Sequence, residues 1–227
     1  YDEGFGLSMM WTQETEVEAF VKEVLDHIQG VTFTNPKTGL DEIKLLRDDY
    51  VQANCRILTP DNSDISDLQR KVWGETANEV SLSWTNPENE KSESVVVADI
   101  ANVANQGAIV ASSRNYYGIR NKELAEKVAW RELRQSSYPL TTANFKLDRS
   151  LWDVTPGEVL KVDYPEEGLQ EIFVRVMDVD YGTVDDSKIN ISVIEDIFAL
   201  TKAKPRVPQT PLFNNNLEQP LPITDYM

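Results

Sequence analysis

A 227-residue chain with one histidine, His27, and one cysteine, Cys55, has little material for general-base or nucleophilic catalysis. His27 sits beside Asp26 in a helical pattern and reads as a surface histidine on its polar side, with no Ser or Cys motif for it to activate. Cys55 has no further histidine to draw off its proton, so it reads as a structural thiol, buried or half-buried. Carboxylates are plentiful. The pairs Glu166–Glu167 and Asp185–Asp186 flank predicted turns, where adjacent acids are solvated rather than held at the separation glycoside hydrolysis needs. The stretch "DVDYGTVDDSKI" offers Asp178, Asp180 and Asp185 as oxygen ligands for calcium. It departs from the EF-hand pattern, which wants Gly where Thr183 stands and Glu where Ile189 stands, so it reads as an acidic hairpin tip. The sequon at Asn190 falls within a predicted strand and reads as coincidence. With neither a G-x-G-x-x-G nor a P-loop stretch, no catalytic residue, cofactor or metal site is expected.

The elements behind these residues follow from periodicity. Val17, Phe20, Val21, Val24, Leu25 and Ile28 recur on one helical face, with Thr15 and Glu18 placed for a capping box and Gly30 for the C-terminal cap. "VTFTNPKTG" reads as a strand into an Asn-Pro turn, and "LDEIKLLRDDYV" is ambiguous between helix and strand. Val80, Leu82 and Trp84 alternate with polar residues and predict a hairpin that returns through Ser94–Val97. Asp99 caps a short helix ending near Gly107, a strand runs through Ile109 and Val110, and Asn121 caps a long second helix. From Thr141 to Leu200 four strands follow one another, which predicts a meander curling into a barrel or half-barrel. Pro156 and Gly157 occupy the central positions of a type II turn that starts one of these strands.

Composition narrows the function. The net charge of −16 would repel a polyanion, and no run of eighteen apolar residues marks a membrane-spanning helix. The start resembles no signal peptide, and the lone cysteine excludes an internal disulfide and suits a reducing compartment. The chain opens at Tyr1 and reads as a piece of a longer protein. Its last 27 residues hold five prolines and an Asn tract and read as an extended arm.

The segments "ANEVSLSWTNPENE", "VVVADIANVANQG", "YYGIRNKELAEKVAWRELRQSSYPL", "LWDVTPGEVLKVDYPEEG", "FVRVMDVDYG" and "INISVIEDIFAL", in that order, resemble the tail-hub or tail-tip proteins of long-tailed bacteriophages. Departures are mild: Glu158 stands where that family commonly has Asp, and the closing segment reads Glu195-Asp196-Ile197-Phe198. The resemblance implies an α+β, β-rich fold. A tail-tube-like β-barrel or half-barrel would form from about residue 78 on, with two main helices and an inserted smaller α/β subdomain. The implied organisation is 1–75 as the helix-containing subdomain, 76–200 as the barrel-like hub domain and 201–227 as the arm. The implied function is a non-enzymatic hub at the distal tail, part of a homotrimer, contacting other tail or baseplate proteins and host-recognition fibres. Such a chain is made and assembled in the bacterial cytoplasm and ends in the virion. DNA would pass its lumen without specific binding, and the acidic surface would keep the duplex from sticking. Pro156 and Gly157 would then fix strand order. Trp84 and Trp130 would be core or subunit-interface anchors, and Trp152 would reach a neighbouring subunit. The rival readings are a carbohydrate- or receptor-binding module and, behind it, a glycosidase or peptidoglycan hydrolase.

Overall fold

The computed structural model describes residues 5–9, 17–183 and 187–200. Thr15, the first residue of the expected capping box, Asp185, Asp186 and the arm at 201–227 lie outside the described residues.

Helix α1 (Val17–Ile28) leads into an antiparallel hairpin of β1 (Gly30–Thr34) and β2 (Asp41–Leu45), which resolves the ambiguous "DEIKL" as strand. Gly39 closes its turn at φ +69°, a conformation that glycine reaches without steric cost. The left-handed residue after α1 is Gln29, at φ +50°, while Gly30 already pairs with Leu45 as the first residue of β1. Then come β3 (Ile57–Leu58), β4 (Ser63–Arg70), β5 (Glu79–Thr85) and β6 (Ser92–Ala98), followed by α2 (Ile100–Gln106), β7 (Ala111–Asn115) and α3 (Lys122–Ser137). Strands β8 (Thr141–Asp148), β9 (Val159–Tyr164), β10 (Leu169–Asp180) and β11 (Lys188–Glu195) follow, and α4 (Ile197–Leu200) comes last. The fold is mixed α+β and strand-rich.

The expected capping chemistry is present. Asp99 accepts from the Asn102 amide, Gly107 ends α2 at φ +72°, and Asn121 accepts from the Glu123 and Leu124 amides.

Six strands form one curled half-barrel sheet in the order β3-β9-β10-β11-β8-β4, antiparallel except for β3 against β9. Two departures from expectation follow. Only β9, β10 and β11 form a meander; β8 lies beyond β11, so the segment 149–158 carries the chain across the sheet. The sheet also recruits β3 and β4 from before residue 75 and leaves out β5, β6 and β7, which form a separate sheet in the order β6-β5-β7. Its pairings, β4 with β8 and β3 with β9, therefore cross residue 75. The physical reason is packing. Val80, Leu82 and Trp84 on one face of β5 are covered by Leu124, Val128 and Leu133 of α3, which makes a self-contained layer. We propose that the chain divides along these two layers, with the β1–β2 hairpin packed on the larger sheet. The larger core gathers Leu58, Phe145, Leu147, Leu160, Val162, Val176, Ile189 and Ile191.

Candidate functional site: two buried polar joints

The most constrained polar residues hold each layer to the segments that pack on it. Arg175, within the apolar run of β10, is 4% exposed and Asp196, at the β11–α4 junction, is 2% exposed. Arg175 donates through Nε to Asp196 Oδ1 at 2.9 Å, through Nη1 to the Gly157 carbonyl at 3.2 Å and through Nη2 to the Arg47 carbonyl at 2.9 Å. Tyr50 donates its hydroxyl to the other carboxylate oxygen of Asp196. Burial, and then the neighbouring Asp196, push the Tyr50 phenol well above its ordinary range, so it stays a donor. The guanidinium also lies 5.8 Å from the Tyr50 ring centroid and 5.5 Å from that of Phe198. One arginine thus ties together the segment after β2, the Pro156–Gly157 turn, β10 and the start of α4.

The turn itself has the geometry expected of it. Gly157 has φ +78° and the Glu158 amide donates to the Thr155 carbonyl at 3.2 Å. It does more than start a strand, because it presses on the hairpin: a Cβ at Gly157 would lie 3.1 Å from Val31 and 3.2 Å from Leu46 and Lys44. Beside it Arg56 grips Glu158 at 2.6 Å and Asp153 at 2.5 Å, and Lys37 of the hairpin turn reaches Asp153 at 2.6 Å. Lys37 first, and then Arg56, hold the Asp153 carboxyl at about 2, below the usual carboxylate range, against the opposing effect of burial.

A second joint, built of amides, closes the smaller layer. Asn78 is fully buried; its side chain accepts from the Val110 amide at 2.8 Å and donates to the Ala108 carbonyl at 2.8 Å and to Gln106 at 3.1 Å. Asn102 donates to the Ser137 carbonyl at 3.1 Å, and Gln106 donates to Thr76 Oγ1 at 2.8 Å.

His27 is not on the surface. It is 1% exposed, because the face of α1 that packs inward carries Phe20, Val24 and His27, while Val17 and Val21 stay exposed. Nδ1 donates to the Glu23 carbonyl at 2.7 Å, which leaves Nε2 to accept the Gly118 amide at 3.3 Å. The Tyr116 ring meets the imidazole edge-on at 4.9 Å. Burial lowers its pKa, so the neutral form is favoured. Both ring nitrogens are committed to backbone groups, and the residue serves packing.

The other sequence-derived sites are dispersed. Trp84 is 5% exposed in the smaller core, whereas Trp130 and Trp152 are each nearly half exposed. Asp178 and Asp180 are exposed on β10, and Asp180 accepts from the Gly182 amide at 2.9 Å. Among the described residues no group of three or more His, Cys, Asp or Glu could hold a metal ion. Cys55 is half-buried, its Sγ 3.7 Å from the Val51 carbonyl. Among the described residues no helix is long and apolar enough to cross a membrane.

The family described as "Putative phage tail protein" matches residues 16–178, well over half of the chain. The chain belongs to this family. Of the joint residues, Asn78, Asn102, Gln106, Gly157, Arg175 and Asp196 lie in the segments that carried the resemblance, as do the caps Asp99 and Asn121. Among solved structures, this phage tail protein is similar to a chain of "Virion of native gene transfer agent (GTA) particle", with 16% identity and a TM-score of 0.61, over 79% of this chain and 38% of that one. It is also similar to the tail protein from Neisseria meningitidis MC58, with 13% identity and a TM-score of 0.52, over 84% of this chain and 58% of that one. These likenesses are of fold, and the chain spans 38% and 58% of the lengths of those chains. No curated protein matches it.

The Arg175–Asp196 joint was missed, although its signal was present: an arginine inside "FVRVM" is a charge in an apolar strand and needs a buried partner.

Proposed function

We propose that this phage tail protein forms part of the distal hub of a phage or prophage tail, where it closes the tail tube and connects it to host-recognition fibres. The role is structural, without turnover. The observation that carries this reading is the curled six-stranded sheet, which among the described residues is open at both edges. One edge is the two-residue β3 and the other is the eight-residue β4, largely exposed, with a bulge between Ile65 and Asp67. An open curled sheet has unpaired backbone groups at its edges, and a ring of subunits, here a homotrimer, covers them. Other tail or baseplate proteins are then its partners, and the tail tip of the virion, assembled in the bacterial cytoplasm, is its location. The charge of −16 supports a lumen that passes DNA without binding it.

Immunogold labelling of induced tail particles, with antiserum against this chain, tests the position. Gold at the distal end is expected. Gold along the shaft or at the head, or no band in an immunoblot of denatured particles, would overturn the hub reading. A neutral or basic lumen in an assembled ring would remove the DNA-passage element alone.

A further inference from the structure

The outer stripe of α3 presents Lys127, Trp130, Arg131 and Arg134 at the i, i+3, i+4, i+7 spacing of a single helix face. These side chains, with Ile197 and Phe198 of α4, line a groove of about 340 Å³ at the seam between the two layers. The groove is aromatic and basic on a chain whose net charge is −16. Lys127 and Arg134 make no ion pair among the described residues. Arg131 is turned inward: it donates to the His27 carbonyl at 3.3 Å and lies 3.6 Å from Glu132, and its Nε is buried. The cations open to an incoming carboxylate are therefore Lys127 and Arg134, both exposed.

The chain supplies a matching occupant. Its described part ends at Leu200, two residues beyond the groove-lining Phe198. Residues 201–216 carry Lys202, Lys204 and Arg206 and no acidic residue, whereas 217–227, "LEQPLPITDYM", carry Glu218 and Asp225 and no basic one. The second stretch combines those carboxylates with Leu217, Pro220, Leu221, Pro222 and Ile223, the chemistry that an aromatic, cationic groove accepts. A tether of 17 residues from Leu200 to Leu217 reaches up to about 55 Å, far more than the distance back to α3 requires. Tethering also raises the local concentration of the segment to about the millimolar range, which favours its own groove over that of another copy.

We propose that residues 217–227 dock back into the α3–α4 groove of the same chain, Glu218 or Asp225 pairing with Lys127 or Arg134 and the apolar residues lying on Trp130 and Phe198. The inference does not rest on the hub reading.

The test uses the full chain. A carbodiimide, which joins amines to carboxylates, is added to dilute protein and the monomer band is digested for mass spectrometry. A Lys127–Glu218 or Lys127–Asp225 cross-link is expected in that band, and its loss in E218Q/D225N identifies the acids. The same cross-link confined to species of higher mass would overturn docking within one chain and make a second copy the occupant. Hydrogen exchange decides independently of the coupling chemistry. Amides of 217–227 should exchange more slowly than those of 201–210, speed up in R134E, and slow again in the charge-swapped R134E/E218R. Exchange of 217–227 at the rate of an unstructured peptide in the unmodified chain would overturn the proposal.

Discussion

The two layers of this tail protein solve the same problem with different chemistry. The half-barrel is locked to its hairpin and to α4 by a buried ion pair, Arg175–Asp196, whereas the smaller layer is locked to α2 by neutral amides, Asn78, Asn102 and Gln106. Both arrangements satisfy backbone groups that would otherwise be orphaned. They differ in what failure costs. A neutral joint losing one member leaves an unpaired N–H or C=O, whereas a charged joint losing one member leaves an uncompensated ion in the interior. The charged joint sits where three chain segments distant in sequence converge, at Arg47, Gly157 and Asp196, and the neutral one closes a shorter stretch from Thr76 to Ser137. Directional, long-range fixing is thus placed where chain connectivity helps least.

The contrast makes graded predictions. Arg175→Met should be the most damaging, lowering unfolding stability by about 3–5 kcal/mol in urea titration, since Asp196 stays buried without its cation. Asn78→Ala strands the Val110 amide and the Ala108 carbonyl and should cost about 2 kcal/mol by the same measurement. Equal losses from the two variants would erase the distinction drawn above. Gly157→Ala and Gly39→Ala sharpen it further. Both force a non-glycine residue to φ near +70°, at about 1–2 kcal/mol. Only Gly157 faces side chains at 3.1–3.2 Å, while Gly39 has nothing within 4 Å, so Gly157→Ala should cost more. Parity would mean that the turn does not press on the hairpin.

The smallest effect is that of His27, and it depends on pH. Its folded pKa lies below the unfolded value near 6.5, so between the two the unfolded chain binds more protons and stability falls as pH drops. The stabilisation is complete above about pH 6.5 and is lost as pH falls towards the folded pKa. Asp153, held at about 2, gives up its own contribution only below about pH 4, so the interval from 6.5 to 5 isolates His27 from it. Chemical denaturation at pH 7.5 and 5 should show a larger loss for the parent chain than for His27→Gln. A parent chain with the same pH slope as His27→Gln would contradict the buried, neutral imidazole.

How much of this was legible depended on range. Asp99, Gly107 and Asn121 announce their caps within a few residues, and Val80, Leu82 and Trp84 announce the hairpin by alternation, so these elements form as expected. The turn at Pro156–Gly157 is equally local. That β8 pairs with β11 across some forty residues, or that β4 joins it from the other side, is written in no local pattern: antiparallel edges are interchangeable until burial selects among them. His27 misled for a related reason. The apolar stripe of α1 is wide enough to be buried along either flank, and the structure covers the one carrying Phe20 and Val24, leaving Val17 and Val21 outside. Of the candidate site, Gly157 is legible from its turn, whereas Arg175 and Asp196 show only as members of the segments that carry the resemblance.

The account turns on whether the charged joint acts as a coupled unit, and a double-mutant cycle measures that directly. Arg175→Met, Asp196→Leu and their combination, each unfolded in urea, give the interaction energy. The prediction is that the double variant loses much less than the sum of the two single losses, because removing both charges together leaves no buried ion unpaired. Losses that simply add would contradict it, and Arg175 and Asp196 would then be two independent contacts rather than the joint that holds the half-barrel to its hairpin.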